Sequence, residues 1–346
     1  MSVAKLSNKL AGTLAGYRAA DGYTVNPDHV GKWIYQFEED VRKPLLAEMC
    51  HVMGATYFSK DEVREFFKHQ IRNEKFASGD PEQFWREANI LDIQAKGQSQ
   101  SEISAEFHRS LDEVLGLKAE ECGQKNETYV YLDDAIFSGS RAGYDLSDWI
   151  ANHAPAKATL KILVIAAYRL GEFYLEKNLK EAARKAGKAI SISTWTILRL
   201  ENRKFKKNET EVLWPKDIPD DPAVKRYLAQ EHKFPLDPRS ADAKLEHPVF
   251  SGSAGRNLLE REMLKAGARI REFSQNPSNV VRPLGFGSFG VGFGSTVVTY
   301  RNCPNNCPLA WWWGDPNFSS NHPFSKWYPL VQRKTYGGIG FDDLDF

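Results

Sequence analysis

Length, composition and charge limit the class of protein first. The chain has 346 residues, enough for about two domains of ordinary size or for one elaborated domain. Its 46 Lys and Arg residues nearly balance 45 Asp and Glu residues, and the formal net charge of +1 gives no overall attraction to nucleic acid or anionic lipid. Hydrophobic residues at 42% and charged residues at 26% are typical of a folded globular chain and exclude a disordered or fibrous one.

Cysteine usage and the length of apolar runs indicate the compartment. The chain has only 4 cysteines, too few for a disulfide framework at this length, and such a low number is typical of a reducing interior. The longest apolar run, residues 162–168, is far shorter than the roughly 20 apolar residues of a membrane span. The N-terminal segment with Lys5 and Lys9 lacks the unbroken apolar stretch of a secretory signal. We therefore expect a cytoplasmic protein with no membrane contact.

The opening part of the chain is predicted to be helical. Between residues 27 and 70 apolar residues recur every three and four positions, which is the spacing of one helix face. Residues 59–62 have the form of a capping box, which predicts the start of a further helix. We assign residues 1–80 to an N-terminal helical region.

A different pattern follows. Four short apolar runs alternate with helical patterns, and they lie at residues 90–93, 129–132, 162–168 and 189–197. This alternation predicts crossover units on a mostly parallel sheet, with helices over residues 101–115, 143–153 and 171–186 between the strands. We expect an α/β core over residues 81–213.

The last part of the chain is predicted to be a C-terminal extension, residues 214–346. Prolines and charges crowd residues 214–248, as in a surface connection between packed units. Beyond them we predict a helix near residues 255–272, a glycine-rich run at 283–295, a strand at 297–300 and an aromatic tail.

The most informative stretch is residues 129–141, a strand pattern with two adjacent carboxylates and then a turn of small residues that opens a helix. In open α/β sheets ligands bind beyond the carboxyl ends of the strands, and a helix N-terminus presents backbone N–H groups to an anion. Asp133 and Asp134 can therefore hold the vicinal hydroxyls of a sugar, while residues 137–141 wrap a phosphate. The alternative is a strand that ends in a solvated acidic turn with a helix cap.

This stretch resembles the phosphoribosyltransferase signature: four apolar residues, two acids, three variable positions and a Thr/Ser-Gly-small-Thr/Ser turn. Arg141 stands where the family has Thr or Ser; this weakens one hydroxyl contact, but a guanidinium can hold a phosphate bidentately. The resemblance implies a sheet of phosphoribosyltransferase type that binds phosphoribosyl pyrophosphate, or a related ribosyl phosphate, with Mg²⁺ held mainly through that ligand. The matching positions are Val130, Leu132, Asp133, Asp134, Ile136, Ser138, Gly139 and Ser140. With Phe137 and Arg141, this turn is the predicted ligand-binding segment.

The resemblance also implies an upstream strand that ends in a pyrophosphate-binding loop, and residues 90–101 have this form. Lys96, as a catalytic residue with the acid pair, and the amides around Gly97, Gln98 and Ser99 would meet the diphosphate. The alternative is simply a helix start at 101–104. The family places a longer segment with a flap-bearing hairpin between the two loops. Here only residues 102–126 separate them, which disfavours ordinary nucleotide synthesis or salvage.

Further candidates lie later in the chain. Tyr168 and Arg169 end the third strand pattern and could pack on a base or a ribose, although buried aromatic residues usually fill cores. Asn302, Asn305 and Asn306 could read a base edge or another polar ligand, or could simply form a turn, for which Asn and Pro are well suited.

Residues 297–313 combine a strand, an Asn/Pro turn and a tryptophan cluster. This stretch resembles the C-terminal block of diverged phosphoribosyltransferase-like proteins of bacterial antiphage loci, including some retrons, and the helical region with Trp33 and Phe37 is also similar to theirs. The resemblance implies an enzyme that transfers or hydrolyses a ribosyl group as the toxin effector of an antiviral defence system. Such an effector acts in an oligomer or complex, with a reverse transcriptase or nucleoprotein as partner. A non-catalytic module that senses nucleotides or docks onto a nucleoprotein is the alternative.

Three other signals are weaker. Residues 285–290 fit GxGxxG but lack the strand-to-helix context of a dinucleotide site, so we predict a flexible glycine loop. Cys303 and Cys307 lack the further ligands that zinc needs, and we expect no metal cage. A basic cluster could contact the phosphates of RNA or DNA, or form a solvated surface; it comprises Arg199, Arg203, Lys204, Lys206 and Lys207.

Overall fold

The computed structural model describes residues 1–94, 99–125, 127–230, 235–287 and 289–334. The chain forms two compact units. One is Asp61–Glu201, here called the sheet unit, and the other combines Met1–Lys60 with Asn202–Phe346 and is called the terminal unit. The division into residues 1–80, 81–213 and 214–346 stays a prediction.

The secondary structure alternates in the sheet unit and is mainly helical in the terminal unit. The α-helices are α1 (Val3–Thr13), α2 (Pro27–Ile34), α3 (Glu39–Thr56), α4 (Lys60–Ile71), α5 (Glu74–Ala77), α6 (Pro81–Glu87), α7 (Ser99–Leu115), α8 (Ser140–Asn152), α9 (Arg169–Lys185), α10 (Pro222–Leu228), α11 (Ser253–Arg271) and α12 (Leu309–Trp312). The strands are β1 (Tyr57–Phe58), β2 (Asn89–Leu91), β3 (Thr128–Ile136), β4 (Lys157–Tyr168), β5 (Ala189–Leu200) and β6 (Val298–Thr299).

Several helices begin where a capping side chain meets a proline. Asn26 accepts a hydrogen bond from the His29 backbone N–H at 2.8 Å before Pro27 opens α2. Asp80 plays the same part before α6, and Asp221 before α10. The carboxylate or amide oxygen satisfies N–H groups that have no partner inside the helix, and proline at the first helical position loses nothing because its missing N–H would be unpaired there.

The sheet unit contains a four-stranded sheet in the order β2-β3-β4-β5, in which every neighbouring pair is parallel. Leu132 pairs with Leu163, and Leu163 pairs in turn with Trp195. α7, α8 and α9 connect successive strands, as parallel pairing requires. The predicted α/β class with a mostly parallel sheet is confirmed.

Helices cover both faces of this sheet. On one face Ile162 and neighbouring strand residues form a buried core with Trp149 of α8 and Leu175 of α9. On the other, Lys161 Nζ lies 5.2, 5.7 and 5.9 Å from the ring centroids of Phe76, Phe84 and Trp195, respectively. Burial of this ammonium lowers the pKa of Lys161.

The connection between β2 and β3 is short. Within it, the described residues 99–125 comprise α7 and a 3₁₀ turn, Ala119–Glu121, and contain no strand. This agrees with the expectation that the family's hairpin between the two loops is missing from this part of the chain.

In the terminal unit the N-terminal segment, residues 1–60, packs against the segment around residues 298–334. β1 and β6 pair in parallel, and the Tyr300 N–H donates to the Phe58 carbonyl at 2.8 Å. The indole of Trp33, fully buried on α2, donates to the Ala310 carbonyl of α12 at 2.7 Å. The buried tryptophans of the tail therefore contribute to a core shared with the N-terminal helices.

A buried histidine belongs to this contact between the two segments. His29 Nε2 donates to the Leu330 carbonyl at 2.7 Å, which leaves Nδ1 to accept from the Tyr328 hydroxyl at 2.9 Å. Both hydrogen bonds suit the neutral ring. Burial lowers the pKa of His29, although the Leu330 carbonyl opposes this shift.

A buried charge triad fastens α11. Arg239, whose side chain is fully buried, donates to Glu260 at 2.7 Å, and Arg256 donates to the other oxygen of Glu260 at 2.8 Å. Arg239 also donates to the Trp214 carbonyl and to Asp242. The triad connects the segment after residue 213 to α11 through paired, hydrogen-bonded charges.

The glycine-rich run, described over residues 283–287 and 289–295, is mostly buried, whereas its composition predicts a flexible loop. Leu284 N–H donates to the Val291 carbonyl at 2.7 Å, and its carbonyl accepts from the Gly294 N–H at 2.8 Å. Gly294 has φ +74°, and a Cβ there would overlap the Leu213 carbonyl. The glycines permit close backbone packing inside the core, which composition alone does not distinguish from mobility.

No helix within the described ranges is both long enough and apolar enough to cross a membrane.

Candidate functional site

The candidate site lies at the carboxyl edge of the parallel sheet. β2 ends at Leu91 and β3 at Ile136, each followed by a loop or turn and then by a helix, whereas β4 ends at Tyr168 and continues directly into α9. Because parallel strands point the same way, their carboxyl ends and the N-termini of α7, α8 and α9 meet at one edge. This edge collects the predicted acid pair, the small-residue turn, Tyr168 and Arg169.

The acid pair lies inside β3 rather than after its end. The apolar run predicts a strand over residues 129–132 only. In the structure the strand is longer, since Asp133, Ala135 and Ile136 continue the pairing with β4. Continued hydrogen bonding to β4 therefore outweighs the low strand preference of aspartate.

Asp133 is buried and held in a defined orientation. One of its carboxylate oxygens accepts the Asp134 backbone N–H at 2.8 Å, and the other accepts the Tyr131 hydroxyl at 3.3 Å. Burial, and then the negative charge of Asp133, raise the pKa of Tyr131 far above its ordinary value of 10.0. Tyr131 therefore stays protonated and remains a donor to Asp133. Asp134 is half-buried beside it.

The turn after β3 is shaped by side chains and backbone of the motif itself. The Ser138 hydroxyl accepts the backbone N–H of Ser140 at 3.3 Å and donates to the Ser140 hydroxyl at 3.1 Å. Ser138 and Ser140 are exposed, as is Arg141 in the first turn of α8. Two hydroxyls and one guanidinium thus line the start of a 13-residue helix, a combination suited to an anion.

Two glycines allow this turn to lie directly on α9. Gly139 has φ +76°, and a Cβ on it would lie 2.6 Å from the Gly171 carbonyl oxygen and 3.0 Å from Leu175 Cβ. A Cβ on Gly171 would in turn lie 2.8 Å from the Phe137 carbonyl carbon. The conformation of the turn is therefore fixed by backbone-to-backbone packing against the next helix.

Tyr168 lies beneath the turn. Its side chain is fully buried, and its ring stacks on Phe137 with centroids 5.6 Å apart and planes 28° apart. This is the core-filling arrangement that stood as the alternative for Tyr168. Arg169, the first residue of α9, is half-buried at the same edge.

The predicted pyrophosphate loop falls largely outside the described residues: Lys96, Gly97 and Gln98 lie in the undescribed stretch 95–98, and the side chain of Ser99 is likewise not described.

Gln100, next to this stretch, lies at the candidate site although no sequence pattern points to it. Its buried side-chain oxygen accepts the N–H groups of Ile93 and Gln94, both at 2.8 Å, and its amide donates to the Leu132 carbonyl at 3.4 Å. Gln100 thereby ties the loop after β2 to the end of β3. A glutamine among other polar residues gives no pattern that could have singled it out.

The three asparagines belong to the terminal unit and serve its backbone. Asn302 donates to the Lys334 carbonyl at 3.0 Å and accepts its N–H at 2.8 Å. Asn306 donates to the Phe286 carbonyl at 2.9 Å, and the Asn305 carbonyl accepts the Phe286 N–H at 2.8 Å. These bonds assign the Asn302 and Asn306 amides a structural use, like the turn-forming alternative.

The basic cluster is divided by the structure. Arg199 on β5 makes a bidentate pair with Glu172 of α9, with distances of 2.8 and 2.9 Å, inside the sheet unit. Lys204 and its neighbours belong to the terminal unit. The five residues therefore divide between the two units, with Arg199 in the sheet unit and the other four in the terminal unit.

In the part of the chain that is described, no three His, Cys, Asp or Glu side chains converge to hold a metal ion.

Burial raises the pKa of the Cys303 thiol well above its ordinary range, and Cys307 adds to the shift.

A parallel sheet whose β3 carries two acids and opens into a Ser-Gly-Ser turn is the arrangement that the phosphoribosyltransferase signature describes. The model of one family, PRTase-CE, matches residues 30–333. The chain belongs to this family. It is therefore phosphoribosyltransferase-like across most of its length, including the helical N-terminal part and the aromatic C-terminal part. No curated protein and no solved structure gives a significant match to it.

Proposed function

We propose that this phosphoribosyltransferase-like protein binds phosphoribosyl pyrophosphate, or a related ribosyl phosphate, at the carboxyl edge of the sheet and transfers or hydrolyses the ribosyl group. The observation that carries the proposal is the combination of the oriented Asp133 carboxylate, next to Asp134 in β3, with the Gly139 turn that opens α8. Family membership supports the same ligand class.

The acid pair holds the sugar in this proposal. Asp133 and Asp134 accept hydrogen bonds from the vicinal ribose hydroxyls, and the hydroxyls of Ser138 and Ser140 with the α8 amides hold the 5′-phosphate. Arg141 stands beside that phosphate in place of a hydroxyl. The upstream loop with Lys96, Gly97, Gln98 and Ser99 receives the diphosphate.

The reaction requires little covalent participation by the protein. The bond between ribose C1 and the diphosphate oxygen breaks, the diphosphate leaves with the electron pair, and the acceptor or water bonds to C1 and gives up its proton. Positive charge develops at C1, close to the carboxylates that hold the ribose, while Lys96 and backbone amides stabilise the charge on the leaving group.

Magnesium fits this set of residues. Asp133 and Asp134 offer hard carboxylate oxygens, and Mg²⁺ is usually bound by one or two carboxylates together with substrate phosphates rather than by a cage of protein ligands. When bound, Mg²⁺ neutralises charge on the diphosphate.

The biological role in this proposal is that of an effector in an antiviral defence system, held in check by partner components such as a reverse transcriptase or another nucleoprotein. It is supported by the similarity of residues 297–313 and of the N-terminal helical region to conflict-system proteins. Phage challenge of cells that carry the gene with its genomic neighbours tests this role. Loss of protection by the double variant Asp133→Asn, Asp134→Asn supports it, and unchanged protection contradicts it.

Release of pyrophosphate tests the chemistry. The full-length protein, with and without its genomic neighbours, is incubated with labelled phosphoribosyl pyrophosphate and MgCl₂, and binding is measured in parallel by calorimetry. We expect release that the double variant abolishes. Asp148→Asn is the matched control, because Asp148 is an exposed carboxylate on α8 that accepts a hydrogen bond from Asn152 at 2.8 Å.

A sensing module is the second candidate, and the missing strand between β2 and β3 in residues 99–125 favours it, since a flap that excludes water from the reaction is absent there. Tight binding that the double variant abolishes, without any release, establishes sensing. If the protein neither binds phosphoribosyl pyrophosphate nor releases pyrophosphate, both candidates are contradicted.

A further inference from the structure

A shallow depression on the terminal unit combines an exposed aromatic ring with several lysines. Its volume of about 580 Å³ lies within the range of small-ligand sites. We call it the Phe205 depression; its lining residues are Lys204, Phe205, Lys206, Lys207, Asn208, Glu209 and Asp237.

Phe205 is the unusual member of this surface. Its side chain is 77% exposed, although a phenylalanine normally gains from burial. The guanidinium carbon of Arg203 lies 5.0 Å from the centre of its ring, within cation–π distance. The ring is therefore presented to solvent beside a cation, as in a stacking platform.

The charges around the ring are mainly positive. Three lysines and two acids line the depression, and Arg203 lies next to it in the sequence, in a chain whose net charge is only +1. Lys206 pairs with Glu209 at 2.9 Å, and Asp237 lies beside Lys207 and 3.9 Å from Lys204. Exposed pairs of this kind are weak, so a phosphate can replace the carboxylate partner at little cost.

We propose that the Phe205 depression binds single-stranded nucleic acid. A base stacks on Phe205, and Lys204 and Lys206 contact the flanking phosphates. The exposed ring favours a single strand over a duplex, whose bases are already stacked, and over an acidic peptide, which would need only the lysines. Arg199 is not among the lining residues, and its guanidinium pairs with Glu172 at 2.8 Å.

Fluorescence anisotropy with a labelled twelve-nucleotide dT strand and with its duplex tests the proposal on the full-length protein. We expect the strand to bind more tightly than the duplex. Phe205→Ala weakens strand binding by roughly fivefold to a hundredfold, and Phe205→Trp retains it. Tyr35→Ala is the matched control: Tyr35 is 63% exposed with Arg42 at 4.8 Å from its ring, but it lies outside the lysine cluster, so binding is unchanged.

Charge variants test the role of the lysines. Lys204→Gln with Lys206→Gln lowers the slope of log affinity against log salt by roughly 0.7 for each lost phosphate contact. Asp237→Asn removes the acid that competes for Lys204 and Lys207, so it tightens binding severalfold. This gain of affinity is a readout that a misfolded variant does not produce.

Four results overturn the proposal: no binding of the strand, equal affinity for strand and duplex, equal effects of Phe205→Ala and Tyr35→Ala, or displacement of the strand by polyglutamate at equal charge concentration. The test is independent of the proposed phosphoribosyl site, because Asp133→Asn with Asp134→Asn leaves strand binding unchanged.

Discussion

Gly171 provides the tightest backbone contact at the candidate site, and Gly171→Ala tests how the turn after β3 is held. A Cβ at this position would lie 2.8 Å from the carbonyl carbon of Phe137, closer than real Cβ atoms pack, and 3.1 Å from that of Ser138, tighter than most real Cβ contacts. These neighbours are backbone, so they cannot move aside as a flexible side chain does. The turn must shift away from α9.

The magnitude follows from two opposing terms. Overpacking of this kind costs about 1–3 kcal/mol, while alanine in place of glycine within a helix returns up to about 1 kcal/mol. We therefore expect a net loss of about 1–2 kcal/mol, or a factor of roughly 5–30 in the population of opened molecules. In the proposed function, affinity for phosphoribosyl pyrophosphate falls as well, because residues 137–141 no longer keep their positions.

Hydrogen exchange of β3 amides measures this loss within the sheet unit alone, which avoids the assumption that both units unfold together. Gly143→Ala is the matched control on α8: its Cβ would lie 3.5 Å from Leu175 Cδ1, an ordinary contact, so exchange should slow or stay unchanged. Gly171→Ala and Gly143→Ala variants with the same exchange rates and the same ligand affinity would refute the reasoning.

Further predictions concern buried charges. Arg239→Met leaves Glu260 with one of its two arginines and should cost the terminal unit about 3–5 kcal/mol by denaturant unfolding, whereas Arg226→Ala, which breaks an exposed pair, should cost nothing measurable. A larger loss for Arg226→Ala would contradict this. His29 has a pKa below its ordinary value of 6.5, so the folded state binds fewer protons than the unfolded state; its contribution to stability is complete above pH 6.5 and is lost as the pH falls below it. His29→Gln should flatten the stability profile between pH 7 and 5, and an unchanged slope would contradict the assignment. The pKa of Lys161 is also lowered, because the fold favours its neutral form. The stability of the wild type relative to Lys161→Met should therefore rise between pH 8 and 10. A fall over this range would contradict the prediction.

Periodicity was sufficient to predict the sheet. Every strand of the four-stranded sheet is buried or half-buried over much of its length, so each produces an apolar run, and the helices between them carry one apolar face. The position of the acid pair and of the turn at the carboxyl edge of the sheet was also predictable, because both belong to one short motif of adjacent residues.

Other features were not predictable because they depend on contacts distant in sequence. The conformation of the turn depends on Gly171, 32 residues after Gly139 in the numbering of the chain. The close packing of Gly294, in the glycine-rich run, depends on Leu213, far away in sequence. The roles of Asn302 and Arg199 depend on partners, Lys334 and Glu172, that no local pattern indicates.

The contacts that shape the candidate site bear on ligand binding, whereas turnover has a further requirement. The turn after β3 keeps its shape through Gly139 and Gly171, Gln100 holds Ile93 and Gln94 after β2, and Tyr131 orients Asp133; each of these contacts is internal to the sheet unit. The described part of this edge therefore does not depend on a flap for its geometry. In the proposed function, ligand binding can thus be retained without turnover. Turnover needs an additional means of excluding water and stabilising the leaving diphosphate, and a partner component that covers this edge would supply it, which is why pyrophosphate release has to be measured both with and without the genomic neighbours.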